Sequence, residues 1–339
     1  MRNIITVCKQ LKIKAIAFVL VFVTSTSAFA SDAAEGGAFD PGAMITHHIG
    51  DDYIWHFFDG HYGTVYLPVI LFTDHGLEIF SSKNFYDEAH NLVEYNGYKL
   101  EHGHIAALDG SHPLDFSITK NVASLFLSAF LLIVVFLAVA RGYKNPKKAP
   151  KGIQSFFEPI IIFIRDEIAI PNIGEKQHKR FLPFLLTLFF FIWFNNLLGL
   201  MPGGANLTGN ISVTFVLACI VLIVTLFSTK KYYWKHIFAT PGVPWPVLII
   251  LIPIELVGIL TKPFSLMVRL FANITAGHII ILSLFSLIFI FESYAVAPVS
   301  VAFALFMNFL ELFVALLQAY VFTLLSAMYF GSAVEEGHH

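Results

Sequence analysis

The sequence predicts an all-α integral membrane protein: five long transmembrane or tilted helices plus an interfacial amphipathic helix, preceded by a small exported N-terminal segment. Three observations predict it. Of 339 residues, 57% are hydrophobic and only 13% charged, and the mean hydropathy is +0.73, far too apolar for an ordinary soluble domain. Beyond Lys120, apolar stretches alternate with short polar joins, the pattern required of a chain whose spanning backbone must satisfy its own hydrogen bonds. The formal net charge of -2 conceals a segregation of charge along the chain, and that segregation carries topological information.

Residues 1–30 have the features of a signal peptide. Arg2, Lys9, Lys12 and Lys14 precede the apolar run Ala15 to Val23, and Ala28-Phe29-Ala30 supplies a small-x-small cleavage site. A first transmembrane anchor is the alternative, but the run falls short of the roughly 20 residues a bilayer requires. Cleavage removes Cys8 and leaves Cys219 inside an apolar helix, so neither a disulfide nor a thiolate metal site is expected.

Residues 31–118 form an acidic, His-rich exported segment. Between Ser31 and Ser117 there are 14 acidic residues against Lys83 and Lys99 alone. Stretches such as Thr64 to Phe72 and the turn signal Asn96-Gly97 predict a small, mostly irregular or β-containing unit. Nine of the 14 histidines fall between His47 and His112, including His47-His48. His102 and His104 would share one side of an extended strand, as metal ligands often do. Surface histidines in an acidic segment need no metal, however, and no metal or other cofactor is expected.

Residues 119–152 hold the first crossing and a basic join. Twenty uncharged residues separate Lys120 from Arg141, enough to span the hydrocarbon once. Arg141, Lys144, Lys147, Lys148 and Lys151 then place this join in the cytoplasm by the positive-inside rule. Residues 153–180 mix Ile and Phe with Glu158, Arg165, Asp166 and Glu167, which predicts an amphipathic helix at the cytoplasmic interface.

Residues 181–336 form the membrane core. Phe181 to Thr229 carries no charge and is too long for one helix, so Met201-Pro202-Gly203-Gly204 divides it into an outward and an inward crossing. Lys230, Lys231 and Lys235 follow on the cytoplasmic side. Trp245 to Phe291 far exceeds a perpendicular span and requires a strongly tilted or broken helix. After an outer turn at Glu292 to Pro298, Val299 to Phe330 returns inward.

Ionisable groups in membrane spans cost roughly 2.5 to 3.5 kcal/mol each on insertion scales, so each needs a partner or a function. Glu255, Lys262 and Arg269 are spaced by seven residues and share one helix face. His278 lies half a turn out of phase with Arg269, and Glu311 and Gln318 share a face of the last helix. Arginine stays charged even in apolar surroundings, so it can divide two aqueous routes without relaying a proton itself. His278 and Glu311 can relay protons, since imidazole titrates near neutrality and burial raises a carboxylate toward the same range. The plainer alternative is a structural ion pair between them. Glu255 and Lys262 could equally snorkel to the cytoplasmic surface. Asn206 and Asn210, at the outer hairpin, either wet an outer half-channel or cap helix ends.

The run Lys262-Pro-Phe-Ser-Leu-Met-Val-Arg-Leu-Phe-Ala-Asn273 with Ala276-Gly-His278 resembles the signature of the ATP synthase a-subunit family. Asn195-Asn-Leu-Leu-Gly-Leu-Met-Pro202, Leu317-Gln318-Ala-Tyr-Val-Phe-Thr-Leu-Leu-Ser-Ala-Met-Tyr329 and the acidic ending Glu335-Glu336 extend the resemblance over roughly residues 120 to 336. It implies a bacterial inner-membrane subunit of the F-type ATP synthase, not catalytic alone, that forms two proton half-channels against a rotating c-ring. Its further partners would be the peripheral stalk b subunits, the F1 sector and the lipid bilayer, with no nucleic acid. Arg269 would correspond to the essential arginine, with Gln318 beside it. His278 and Glu311 would line the half-channel on the exported side, Glu255 and Ser265 the cytoplasmic one, and Asn273 belongs to the same signature. Some bacterial members carry an acid where His278 stands and a histidine where Glu311 stands, so the pair is kept with its order exchanged. Ala272 replaces a glycine found in many members, a small change in packing.

Two other classes compete on the intramembrane charges alone. A secondary ion-coupled transporter would usually show two related halves, and no internal repeat is evident. A pure anchor for a stalk would not need five buried ionisable groups. A phosphate-cradling Gly-x-x-x-x-Gly-Lys-Ser/Thr sequence is absent, so nucleotide chemistry is expected on other subunits.

Overall fold

The computed structural model describes residues 41–56, 63–73, 76–87, 91–101, 103–111, 113–143, 152–201, 203–238, 244–291 and 296–335. The signal-peptide region, Lys144, Lys147, Lys148 and Lys151 of the basic join, Pro202, His102, His112, Glu292 and Glu336 lie outside them, as do the side chains of His47 and His48. Two compact units are distinguished, Met1–Lys120 with Phe285–Ser300, and Asn121–Leu284 with Val301–His339.

The first unit opens with helix α1 (Pro41–Ile49) and continues in short strands: β1 (Ile54–His56), β2 (Thr64–Tyr66), β3 (Pro68–Thr73), β4 (Gly76–Ser81), β5 (Tyr98–Glu101), β6 (His104–Ala107) and β7 (Leu114–Asp115). They form three small antiparallel sheets, ordered β1-β2, β4-β3-β7 and β5-β6. The expected Asn96-Gly97 turn precedes β5. Asn96 has φ 52° and Gly97 φ 81°, the two positive values of a type I′ turn, and the flanking Tyr95 and Tyr98 exchange backbone hydrogen bonds of 3.0 and 2.9 Å. A compact core of Tyr53, Val69, Leu71, Phe85 and Tyr98 holds the sheets together. Tyr53 donates its phenol to Asp115 at 2.5 Å.

The membrane region follows the predicted order. Five helices among the described residues are long and apolar enough to cross a bilayer: α2 (Lys120–Gly142), α5 (His178–Gly199), α6 (Ile211–Ser228), α8 (Trp245–Phe291) and α9 (Val296–Val334). Helix α2 buries Asn121, Ser124 and Ser128 while exposing Phe126, Phe130 and Ile133. This inside-out pattern lets small polar residues face protein and aromatic ones face hydrocarbon.

Between α2 and α5 the interfacial segment is less regular than its composition suggests. Helix α3 (Ile153–Phe163) passes into a π-helical stretch, Ile164–Ala169, and then a single turn, α4 (Ile170–Ile173). Pro171 has no N–H to return to the carbonyl four residues earlier, at Glu167, so ordinary i to i+4 bonding cannot continue there. The second crossing begins at His178, three residues before the uncharged run, and takes Lys179 and Arg180 into its first turn. Short helix α7 (Lys231–Phe238) joins α6 to α8.

Helix α8 is unbroken over 47 residues despite Pro253 and Pro263. At 1.5 Å per residue it is about 70 Å long, more than twice a hydrocarbon core of about 30 Å. Of the two expected alternatives, tilting and breaking, the chain adopts the one that keeps the helix whole. The helices close on a core that includes Phe157, Ile164, Ile168, Leu185, Phe190, Leu266, Leu270 and Phe330. Gly331 of α9 sits so close to the Asn172 carbonyl that a methyl group there would collide with it.

Candidate functional site

Helix α8 presents two faces of opposite character around Arg269. Leu266, Leu270 and Ile274 are buried against the neighbouring helices, while Ser265, Arg269 and Asn273, four residues apart, form one exposed polar stripe. Among the described residues no carboxylate stands within ion-pair distance of Arg269. A cation on the exposed face of a spanning helix is costly in lipid, so this stripe calls for a partner outside the chain.

Nine residues further along, about 13 Å of helix axis, His278 turns inward. Its Nδ1 lies 2.5 Å from Glu311 Oε1, and its Nε2 lies 3.3 Å from the Gly199 carbonyl. The two side chains are only 12% and 4% exposed. A carbonyl oxygen only accepts, so Nε2 carries a proton when it bonds Gly199. The Nδ1 to Oε1 contact then holds an exchangeable proton that resides on either the ring or the carboxyl. Glu311 Oε2 is buried and has no hydrogen-bond partner among the described residues. One oxygen thus faces the imidazole and the other stands ready for a further donor.

The approach of α8 to α9 depends on Gly277. A Cβ at that position would lie 2.8 Å from Glu311 Oε1 and 2.9 Å from its carboxyl carbon, inside normal contact. The carboxylate occupies the space a side chain would have filled.

A polar network surrounds the pair where α5, α6, α8 and α9 meet. Asn196 Nδ2 donates to the Ala315 carbonyl at 3.2 Å, and Thr208 donates its hydroxyl to Asn196 Oδ1 at 2.6 Å. Thr275 donates to the Gly209 carbonyl at 3.4 Å. Asn206 Oδ1 accepts from the Gly209 N–H at 3.0 Å, and Asn210 Oδ1 accepts from the Ser212 N–H at 2.9 Å. Both outer-hairpin asparagines therefore cap helix ends. Asn206 Nδ2 and Asn195 Oδ1 remain buried without partners among the described residues.

The other expected site residues are more dispersed. Gln318 is buried on the same face of α9 as Glu311. Glu255 and Lys262 are half-buried. The Lys262 ammonium lies 5.6 Å from the centre of the Tyr329 ring, a cation–π contact that offsets part of its burial. Burial, and then the charge of Glu255, hold the Tyr233 phenol above its ordinary pKa.

Comparison with known proteins gives the family. Residues 122–331 match the family model described as ATP synthase A chain. The chain is 44% identical over 260 residues to ATP synthase subunit a of Chloroherpeton thalassium, covering 75% of this chain and 78% of that one. The chain belongs to the ATP synthase A chain family. It is thus a multi-pass component of the F-type ATP synthase membrane sector. It is also 51% identical over 227 residues to ATP synthase subunit a 2 of Chlorobaculum tepidum, covering 65% of this chain and 64% of that relative's length. With ATP synthase subunit a 2 of Prosthecochloris aestuarii the identity is 41% over 314 residues, covering 90% and 83%. Residues 44–123 match a separate model, described as a domain of unknown function.

Within this A chain family member, sequence reasoning overlooked several parts of the site. Asn195 and Asn196 carry the family resemblance, yet only the structure shows that Asn196 joins the polar network while Asn195 bonds the Phe191 carbonyl of its own helix. Two adjacent amides inside a 49-residue uncharged run, Phe181 to Thr229, were the available signal. Gly277 and Gly199 also lie within the motifs that carry the resemblance, but their roles are not readable there, because a space left for a carboxylate and a carbonyl aimed at an imidazole are properties of packing.

Proposed function

We propose that the chain forms two proton half-channels against a rotating c-ring, with Arg269 separating them, and so couples proton movement to ATP synthesis on other subunits. The observation that carries this reading is the pairing of opposites on α8. An exposed arginine occupies one face, while on the other a buried histidine meets the Glu311 carboxylate of α9.

A ring carboxylate is stable in lipid only when protonated, because an unpaired charge there is costly. As it nears Arg269 the guanidinium favours its ionised form, and the proton leaves into one half-channel. Past Arg269, the carboxylate reloads from the other. Arg269 cannot deprotonate and so cannot short-circuit the two routes. Ser265 and Asn273 flank it on the stripe that would meet the ring, and Gln318 would stand beside it on α9.

His278 and Glu311 serve the half-channel on the exported side: Glu311 takes up a proton at Oε2 as the proton held at Oε1 shifts to His278 Nδ1. Asn206, whose amide nitrogen is unpartnered, and Asn210 flank its mouth. Glu255 and Ser265 serve the cytoplasmic half-channel. In this arrangement the N-terminal segment is exported and the C-terminus cytoplasmic in a bacterial inner membrane. The peripheral stalk b subunits hold the chain against the F1 sector. Each charge crossing a 100 mV potential releases about 2.3 kcal/mol, so several must be combined for each ATP.

The test is Arg269→Ala in the reconstituted complex. ATP-driven acidification and ATP synthesis are expected to vanish, while the detached soluble sector still hydrolyses ATP. Normal coupled pumping by the variant would end the proposal.

A further inference from the structure

The sheet β4-β3-β7 of the N-terminal unit has two faces, and only one is accounted for by the fold. Val69 and Leu71 point into the core and are fully buried. The register pairs Ile70 with Ile79 and Phe72 with Leu77, and Phe72 with Leu114. Side chains opposite each other in a ladder share a face, and residues two apart along a strand do so too. The second face therefore gathers Ile70, Phe72, Leu77, Ile79, Leu114 and, two residues beyond Leu114, Phe116. Five of the six are conspicuously exposed: Phe72 53%, Leu77 60%, Ile79 63%, Leu114 60% and Phe116 65%. No charged side chain is among them, in a segment with 14 acidic residues between Ser31 and Ser117. A contiguous apolar patch of this kind marks a contact with a partner or a membrane.

The chain path favours the membrane. Phe116 donates its N–H to the Ile70 carbonyl at 2.9 Å, Ile118 donates to Pro68 at 3.1 Å, and Lys120, the first residue of crossing helix α2, donates to Asp52 at 2.8 Å. The Lys120 ammonium also donates to the Gly50 carbonyl at 2.8 Å. The chain leaving the sheet is thus held by hydrogen bonds up to Lys120, the residue at which α2 begins. Four residues of extended chain cover at most about 14 Å, while the headgroup layer on each side of the hydrocarbon is about 5 to 8 Å thick. Phe116 is thus within about 14 Å of the residue at which the first crossing helix begins. The domain match over residues 44–123 likewise runs from the strands into the first turn of α2 without interruption.

We propose that the exposed face of β4-β3-β7 rests on the bilayer interface, so that this unit is a monotopic membrane-seated element. Its contact is apolar rather than basic: Phe72, Leu77, Ile79, Leu114 and Phe116 enter the headgroup and upper acyl region. The acidic residues of the segment remain in water, which orients the unit without attracting anionic lipid.

The experiment uses the complete chain in the assembled complex, in vesicles of phosphatidylcholine and phosphatidylglycerol, with Cys8 and Cys219 replaced by serine. Single cysteines at Ile79→Cys, Phe116→Cys and, as a control on another sheet, Glu101→Cys carry an environment-sensitive fluorophore. Lipids spin-labelled at the headgroup or upper acyl chain are expected to quench labels at 79 and 116 at least threefold more than at 101. Aqueous iodide is expected to quench 101 more. Equal iodide quenching at all three positions would show an uncovered face and overturn the proposal. Protection at 79 and 116 from both iodide and spin-labelled lipid would overturn it in favour of a covering protein subunit. Because the substitutions are at exposed positions, recovery of the assembled complex verifies that each variant has folded.

Discussion

Replacing Gly277 by alanine offers a sharp test of whether the His278–Glu311 contact is functional, because it displaces one partner without removing either. The new methyl carbon would lie 2.8 Å from Glu311 Oε1, whereas contact between such atoms normally begins near 3.4 Å, so the carboxylate must withdraw by about 0.6 Å or more. Oε1 is the same atom that meets His278 Nδ1 at 2.5 Å, and withdrawal weakens that contact. A hydrogen bond involving a charged group contributes about 1.5 to 3 kcal/mol. The better helix propensity of alanine, up to about 1 kcal/mol, stabilises the helix whether or not the contact is made and does not offset this loss. At about 1.4 kcal/mol per tenfold change, complete loss of the contact corresponds to a roughly ten- to hundredfold fall in competent pairs, which sets the upper bound. ATP-driven acidification of proteoliposomes containing the reconstituted complex should slow by up to that factor, with helix content and assembly preserved. Wild-type pumping by Gly277→Ala, in a preparation where Glu311→Gln is slow, would refute the idea that Oε1 must reach Nδ1.

Two other substitutions test packing and titration away from the proton path. Gly331→Ala places a methyl against the Asn172 backbone carbonyl, where no flexible side-chain end can yield; overpacking of this kind costs about 1 to 3 kcal/mol, and thermal aggregation of the detergent-solubilised complex should begin at a lower temperature. Tyr53→Phe removes the donor to Asp115 and should lower the stability of the N-terminal unit by about 1 kcal/mol, read as faster limited proteolysis within residues 41–116. Burial, reinforced by that hydrogen bond, raises the Tyr53 phenol above its ordinary pKa of 10.0. The neutral phenol therefore contributes fully below pH 10 and loses its contribution as pH rises through the higher folded value. The proteolysis difference between wild type and Tyr53→Phe should shrink in strong alkali; a difference unchanged there would show that Tyr53 acts through packing alone.

The membrane helices were legible because their driving pattern is long and one-dimensional. Twenty uncharged residues between Lys120 and Arg141 leave few alternatives, and the seven-residue spacing of Glu311 and Gln318 does place both on a buried face of α9. The interfacial segment was harder. Its composition indicates an amphipathic helix, yet the π-helical stretch at Ile164–Ala169 arises from hydrogen-bond registration beside Pro171, which periodicity does not encode. The residues likeliest to be read as chemistry, His278 and Glu311, could be nominated from charge alone. Their separation by 33 residues gives no hint of a 2.5 Å contact, which depends on the space at Gly277. The strands of the N-terminal unit fall between these extremes: Thr64 to Phe72 was recognisable, but Leu67 divides it between β2 and β3, and the face each residue adopts follows from pairing register.

The unbroken length of α8 has a consequence for geometry within the plane of the membrane. An element more than twice as long as the hydrocarbon is thick, with its ends at the two surfaces, must travel sideways further than it travels in depth. Positions separated along such a helix are therefore separated laterally as well. On the proposed reading, the entry and exit of a proton fall above different points of the membrane, joined by no straight vertical line. The proposed c-ring, turning about the membrane normal, would ferry the ion across that horizontal gap. On that reading, the inclination of one helix would convert a difference in electrochemical potential across the bilayer into a demand for angular motion.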